Sequence, residues 1–172
     1  ASFICNDEVE TLSADFASTI PSRVLEDDAM VNFRMSGGTV GRLWTSSVAI
    51  GRQHGFDIQV FGETGGLKWQ SEQPNQLIYT LVGGRTQIIE KGEGGLHADA
   101  MRLSRVAIAH PEGFPLAVAN IYCDLADAIR GKTRDGLPRA TDGLRSMAAV
   151  HAAVGSAKNN GAWVDARPPM FR

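Results

Sequence analysis

His54–Leu77 reads HGFDIQVFGETGGLKWQSEQPNQL, and this stretch decides the fold. Asp57, Gln59 and Phe61 alternate with Ile58, Val60 and Gly62, the period-2 pattern of a strand. Glu63-Thr64-Gly65-Gly66 supplies a turn, and Leu67-Lys68-Trp69-Gln70 resumes as a second strand. Further strand-like runs flank this hairpin. Thr11–Thr19 sets Leu12, Ala14 and Phe16 against Ser13, Asp15 and Ala17, and Ala29–Met35 sets Val31, Phe33 and Met35 against Met30, Asn32 and Arg34. Gly41–Ile50, Leu77–Leu81 and Thr86–Glu90 complete the series, with turn residues between them. Neighbours this close in sequence join by hairpins, so the sheet is expected to be open and mostly antiparallel.

The last third changes period. In Pro115–Arg130, Val118, Ile121, Tyr122, Leu125 and Ile129 fall three and four apart and make one apolar helix face, stopped at Arg130-Gly131. A second helix is expected over Thr141–Asn159, capped by Thr141, with Leu144, Met147, Ala148, His151 and Val154 on its buried side. A short strand follows Gly161. Leu96–Arg105 fits a short helix or an ordered loop. Both long helices need a surface, and one face of the sheet offers it, so the fold class expected is α+β with helices on one sheet face.

At 172 residues, residues 1–172 read as one domain. Apolar content of 43% with 21% charged residues is that of a soluble globular chain. A formal charge of −2 gives no footprint for nucleic acid or an anionic membrane surface. No apolar run reaches the roughly 18 residues of a membrane-spanning helix. The two cysteines, Cys5 and Cys123, lie far apart and in no metal spacing, so a reduced, cytoplasmic chain without a metal is expected. The start carries no secretory pattern and enters almost at once into strand-like sequence, which reads as a piece of a longer protein or as a processed terminus.

Several motifs resemble the C-terminal domain of the Gfo/Idh/MocA family, the enzymes similar to glucose–fructose oxidoreductase and inositol dehydrogenase. These are Phe61-Gly62, the Gly65-Gly66 turn, Leu67-Lys68-Trp69, and Glu72-Gln73-Pro74-Asn75-Gln76-Leu77. His110-Pro111-Glu112-Gly113-Phe114 with Ala119-Asn120-Ile121-Tyr122, and then Asp142-Gly143-Leu144-Arg145, extend the match over roughly Thr11–Val164. The resemblance implies a domain that binds a sugar, cyclitol or related polyol and makes the subunit contact. NAD or NADP would then be held by an N-terminal Rossmann domain absent from this chain. The lysine and the Asp-x-x-x-His pair of the family's chemistry have no counterpart here, so no catalytic residue is expected in this chain. Glu90-Lys91-Gly92 reads as a chance likeness to the lysine motif.

No cofactor-binding loop is expected either. Ser36-Gly37-Gly38-Thr39-Val40-Gly41 leads into a strand and reads as a hairpin turn, and Gly92–His97 reads as a loop. The expected substrate contacts are His110 and Glu112 on their loop, with Arg105 just before it and Arg52 after the third strand. A polyol suits such a set because imidazole, carboxylate and guanidinium hydrogen-bond hydroxyls from several sides. Other readings stand beside it. Glu112 at the start of a helix also favours its dipole, and Arg102 and Arg105 also suit a solvated helix face. His54 reads as an exposed turn residue. Trp44 and Trp69 are interface anchors of a homo-oligomer if they lie on an uncovered sheet face, and core if they lie beneath the helices. The competing class is a free-standing, non-enzymatic dimerisation or small-ligand module.

Overall fold

The eight strands among the described residues, 1–134 and 136–171 of the computed structural model, all pair antiparallel, in two four-stranded sheets. The α+β class of open antiparallel sheets with helices is therefore as the sequence indicates. The strands are divided between two sheets, where the sequence pattern suggested one. The chain forms two compact units, Ala1–Ile50 with Pro138–Arg172, and Gly51–Leu137.

The first unit contains strands β1 (Val9–Ala17), β2 (Asp28–Met35), β3 (Val40–Ser46) and β8 (Val164–Asp165), in the order β3-β2-β1-β8. Register follows the alternation. Leu12 pairs with Phe33 and Ala14 with Val31, while Thr11 faces Arg34 and Ser13 faces Asn32. Leu12 and Ala14 are buried with Ala153 and Ala166, and Val31, Phe33 and Val164 pack around them. The Phe33 ring lies across Gly41 on β3, where a β-carbon would come within 2.0 Å of Cζ. A four-residue helix, α1 (Ser2–Cys5), precedes β1.

Helix α4 (Ala140–Lys158) covers this sheet, but on a different side from the one its sequence suggests. Ala149, Ala152, Ala153 and Ser156 face the core, whereas Leu144, Met147 and His151 are exposed. Small side chains let the helix approach β1 closely. Ser156 Oγ then accepts the Ala14 N–H at 2.9 Å and donates to the Ala162 carbonyl at 2.6 Å. The N-cap also differs: it is Arg139, whose backbone N–H donates to the Asp142 carboxylate at 2.7 Å, so Asp142 acts from the first turn while Thr141 lies inside the helix.

The second unit holds β4 (Asp57–Phe61), β5 (Gly65–Gln70), β6 (Gln76–Leu81) and β7 (Thr86–Glu90) as a meander. The quoted hairpin is β4–β5, closed where the Gly62 N–H donates to the Gly65 carbonyl at 2.8 Å. Gly65 already belongs to β5, and a β-carbon there would meet the Thr80 carbonyl oxygen at 2.4 Å. Ile58, Trp69 and Leu77 share one face of the sheet with Val60, Leu67 and Tyr79. Helices α2 (Ala98–Leu103) and α3 (Phe114–Ile129) follow, so Leu96–Arg105 resolves as a short helix with flanking loop. The apolar face expected of α3 does not cover a sheet: Ile121, Tyr122, Leu125 and Ile129 are exposed.

Candidate functional site

The His110–Glu112 loop hangs from one partly buried ion pair. Lys91 follows β7, where its backbone N–H donates to the Asn75 carbonyl at 2.8 Å. Its Nζ donates to Glu112 Oε1 at 3.1 Å and to the carbonyls of Val106 (2.9 Å) and Ala107 (3.4 Å). Glu112 Oε1 also accepts the backbone N–H groups of Arg105 (2.6 Å) and Val106 (2.5 Å), and the Glu112 N–H donates to Asn75 Oδ1 at 3.1 Å. Both side chains are largely shielded from solvent. Burial pushes the Glu112 carboxyl up, but the Val106 N–H, Lys91 and the Arg105 N–H together outweigh it and hold it below its ordinary value.

This clamp turns residues 104–113 into a fixed loop. The His110 N–H donates to the Ala107 carbonyl at 3.1 Å, and Ala109 between them has φ 69°, a left-handed conformation unusual for alanine. The strain sits directly before His110, and such positions persist only when their surroundings hold them. His110 is exposed, and its ring Nδ1 lies 3.3 Å from the Ile108 carbonyl oxygen. Arg105 is exposed as well, with Nε donating to Asn120 Oδ1, while Asn120 Nδ2 donates to the Leu103 carbonyl at 2.8 Å. Arg102 is committed elsewhere: its guanidinium spans both oxygens of the buried Asp124, at 2.6 and 3.3 Å.

Arg52 belongs to a separate feature of the same unit. It lines an open cleft of about 300 Å³ with Gly51, Gln53, Gly55, Asp57, Gln70, Glu72 and Gln73. Its Nη1 lies 3.9 Å from Asp57 Oδ2, and it is more than half exposed. Glu72 accepts the Gly55 N–H at 2.6 Å and the Ser71 hydroxyl at 3.0 Å, and the Gly55 bond leads the causes that lower its carboxyl pKa. The cleft is lined mostly by amides and charges. Among the described residues, no hydrogen bond or ion pair joins Arg52 to His110, Arg105 or Glu112. His54 is exposed beside the cleft.

Trp44 is half-exposed on β3, opposite Met30, on the face of the first sheet turned away from α4, and its Nε1 donates to Asp28 Oδ1 at 2.9 Å. Trp69 is half-buried instead. Phe56 packs edge-on at 5.7 Å, and Nε1 donates to the Pro74 carbonyl at 3.1 Å. Lys91 and Asn75 are the members of the loop clamp that sequence reading missed. Asn75 stood within the Glu-x-Pro-Asn-x-Leu segment, and Lys91 was assigned to a chance likeness. Within Ser36–Gly41, residues 36–39 form the turn between antiparallel β2 and β3, and Val40 and Gly41 open β3. Among the described residues no helix is long and apolar enough to cross a membrane, and no group of three or more His, Cys, Asp or Glu could hold a metal ion.

Two open antiparallel sheets with helices, and a clamped loop leading into α3, make this an α+β domain. A family profile described as "Oxidoreductase family, C-terminal alpha/beta domain" matches residues 5–165, and the chain belongs to that Gfo/Idh/MocA family. It is 30% identical to the uncharacterized oxidoreductase YfiI of Bacillus subtilis (strain 168) over 167 residues, covering 92% of this chain and 42% of that protein. An oxidoreductase from Sinorhizobium meliloti superposes with a TM-score of 0.90 at 38% identity, over 95% of this chain and 48% of its own. An inositol dehydrogenase homolog from Azotobacter vinelandii, complexed with NADH and myo-inositol, gives 0.86 at 33% identity, over 94% and 45%. The chain thus spans less than half the length of these relatives.

Proposed function

We propose that this chain is the substrate-binding and subunit-contact domain of an oxidoreductase that moves a hydride between NAD(P) and a sugar, cyclitol or related polyol. The observation that carries the reading is the loop clamped by Lys91 and Glu112, which leaves Arg105 exposed, and His110 exposed directly after the left-handed Ala109. A loop held this firmly, with exposed imidazole and guanidinium, suits recognition of a ligand rich in hydroxyls. Glu112 acts mainly by fixing the loop, and its Oε2 takes no partner among the described residues. Arg52, Gln53 and Asp57 offer a second set of polar groups at the cleft. Kinship with an inositol dehydrogenase homolog that binds NADH and myo-inositol supports the substrate class. The cofactor and the proton-transferring groups belong to the N-terminal half that the longer relatives carry.

Three measurements test this. In the full-length protein, His110→Ala lowers kcat/KM for a polyol by about tenfold, with the thermal midpoint retained; a hydrogen bond lost only from the bound substrate has that signature. Unchanged kinetics would remove His110 from the site. In the 172-residue chain alone, NADH fluorescence shows no saturable change on titration, and micromolar binding would sink the division of labour proposed here. The subunit contact is assigned to the sheet face bearing Met30 and Trp44. A stable contact buries roughly 1,600 Å² in total, and sedimentation of the full-length protein should show a dimer or larger species that Trp44→Asp weakens.

A further inference from the structure

Helix α3 is inside out with respect to its own unit. At 100° per residue, Phe114, Val118, Ile121, Tyr122, Leu125 and Ile129 fall within a stripe about 100° wide. All but Val118 are exposed, Tyr122 by 68% and Ile129 by 79%. The opposite, polar edge is the one the unit holds. Asp124 is 7% exposed beneath Arg102, with Arg134 at 3.7 Å, and Asp127 takes Arg134 at 2.5 Å and Lys132 at 3.2 Å. Asn120 is tied to Arg105 and to the Leu103 carbonyl. Rolling the helix to bury its stripe would break its bonds to Arg102, Arg105 and the Leu103 carbonyl. The polar edge is therefore fixed inward, and a continuous apolar stripe about 24 Å long faces solvent.

Patches of this kind mark a surface that something covers. We propose that the α3 stripe is the docking seat of the N-terminal half of the protein, an inference that rests on the functional reading above. The lengths favour this occupant. The chain accounts for 48%, 47% and 45% of three solved relatives, so a comparable length of polypeptide lies outside the matched part. The area favours it over a second copy. Even fully exposed aromatic side chains contribute only about 150–250 Å² each. Five partly exposed residues fall below the roughly 800 Å² per partner of a stable dimer. Interfaces between domains of one chain begin at about 600 Å² in total and are helped by the covalent link.

Thiol labelling tests the proposal. Ile129→Cys and Tyr122→Cys are each made in a Cys123→Ser background, in the 172-residue chain and in the full-length protein. Cys123, exposed on α3 but off the stripe, serves in unsubstituted protein as the control. Maleimide should modify both stripe positions rapidly in the shorter chain and at least about tenfold more slowly in the full-length protein, as burial requires opening first. Cys123 should react alike in both. Equal rates at the stripe positions overturn the proposal. So does protection that appears in the shorter chain as its concentration rises, which would mean a second copy covers the stripe, and so does a complete coding sequence that holds no such half. NAD(P)-linked turnover measured on the same full-length protein separates the two readings. Turnover without stripe protection rejects the docking alone, whereas protection without turnover rejects the catalytic reading alone.

Discussion

Glu112 shows how one carboxylate can organise a loop. Its charged form is favoured in the folded state by Lys91 and two backbone N–H groups, so its folded pKa lies below the ordinary 4.5. A depressed carboxylate pKa contributes stability that is present above the unfolded value and lost as pH falls through the folded one. Glu112→Gln should therefore lower the thermal midpoint at neutral pH, and the gap between variant and parent should narrow as pH falls below 4.5. Parallel melting curves from neutral to acid pH would show that the pair contributes no linked stability. Comparison with the parent is needed because Asp7, Asp27, Glu72 and Asp127 are depressed too and also lower stability in acid. Gly41 carries a different constraint, because its missing side chain leaves room for the Phe33 ring. Gly41→Ala should cost about 1–3 kcal/mol by overpacking, and Phe33→Leu in the same molecule should recover part of it. Additive costs in a denaturant titration would mean that the two positions do not interact.

At the scale of elements, α4 shows why a hydrophobic pattern can mislead about which side is buried. Its largest apolar residues, Leu144 and Met147, face out, and its alanines face in. Close approach places Ser156 Oγ where the Ala14 N–H needs an acceptor, since β8 pairs with β1 only at Thr11 and Leu12. The serine thus takes over the strand ladder where β8 ends. Ser156→Ala leaves that N–H and the Ala162 carbonyl unpaired in a fully buried place, at a cost of about 1–3 kcal/mol. Ser156→Cys should not restore the loss, since sulfur is a weak acceptor. A calorimetric midpoint equal to the parent's for Ser156→Ala would show that water satisfies both groups.

At the scale of the whole molecule, burial is uneven. Among the described residues the buried apolar side chains, Leu12, Ala14, Met35, Ala153 and Ala166, all belong to the first unit. The second unit is held by half-buried sheet residues and by ion pairs such as Lys91–Glu112 and Arg102–Asp124. Native-state hydrogen exchange should therefore leave the amides of β1 and β2 protected longest, with those of β6 exchanging through a smaller opening. Equal protection in both sheets would contradict this. The second unit's sheet follows its sequence pattern closely even so, because hairpin register depends on local turns and alternation.

The sequence alone determined the strands, their antiparallel pairing, the two long helices, and the family to which His110-Pro111-Glu112-Gly113 and its neighbours belong. These features are local: period-2 alternation, glycine turns and helix ends act over a few residues. The tertiary structure decided which faces are buried and which polar groups meet. It moved the buried side of α4 onto its alanines, turned the apolar stripe of α3 to solvent, and divided the strands between two sheets. It also joined Lys91 and Asn75 to a loop that lies well over ten residues further along the chain. The physical reason is that a buried charge is tolerated only beside its partner. The pairs Lys91–Glu112 and Arg102–Asp124 fix α3 and its loop by polar bonds between distant residues, and hydrophobic periodicity does not encode those bonds.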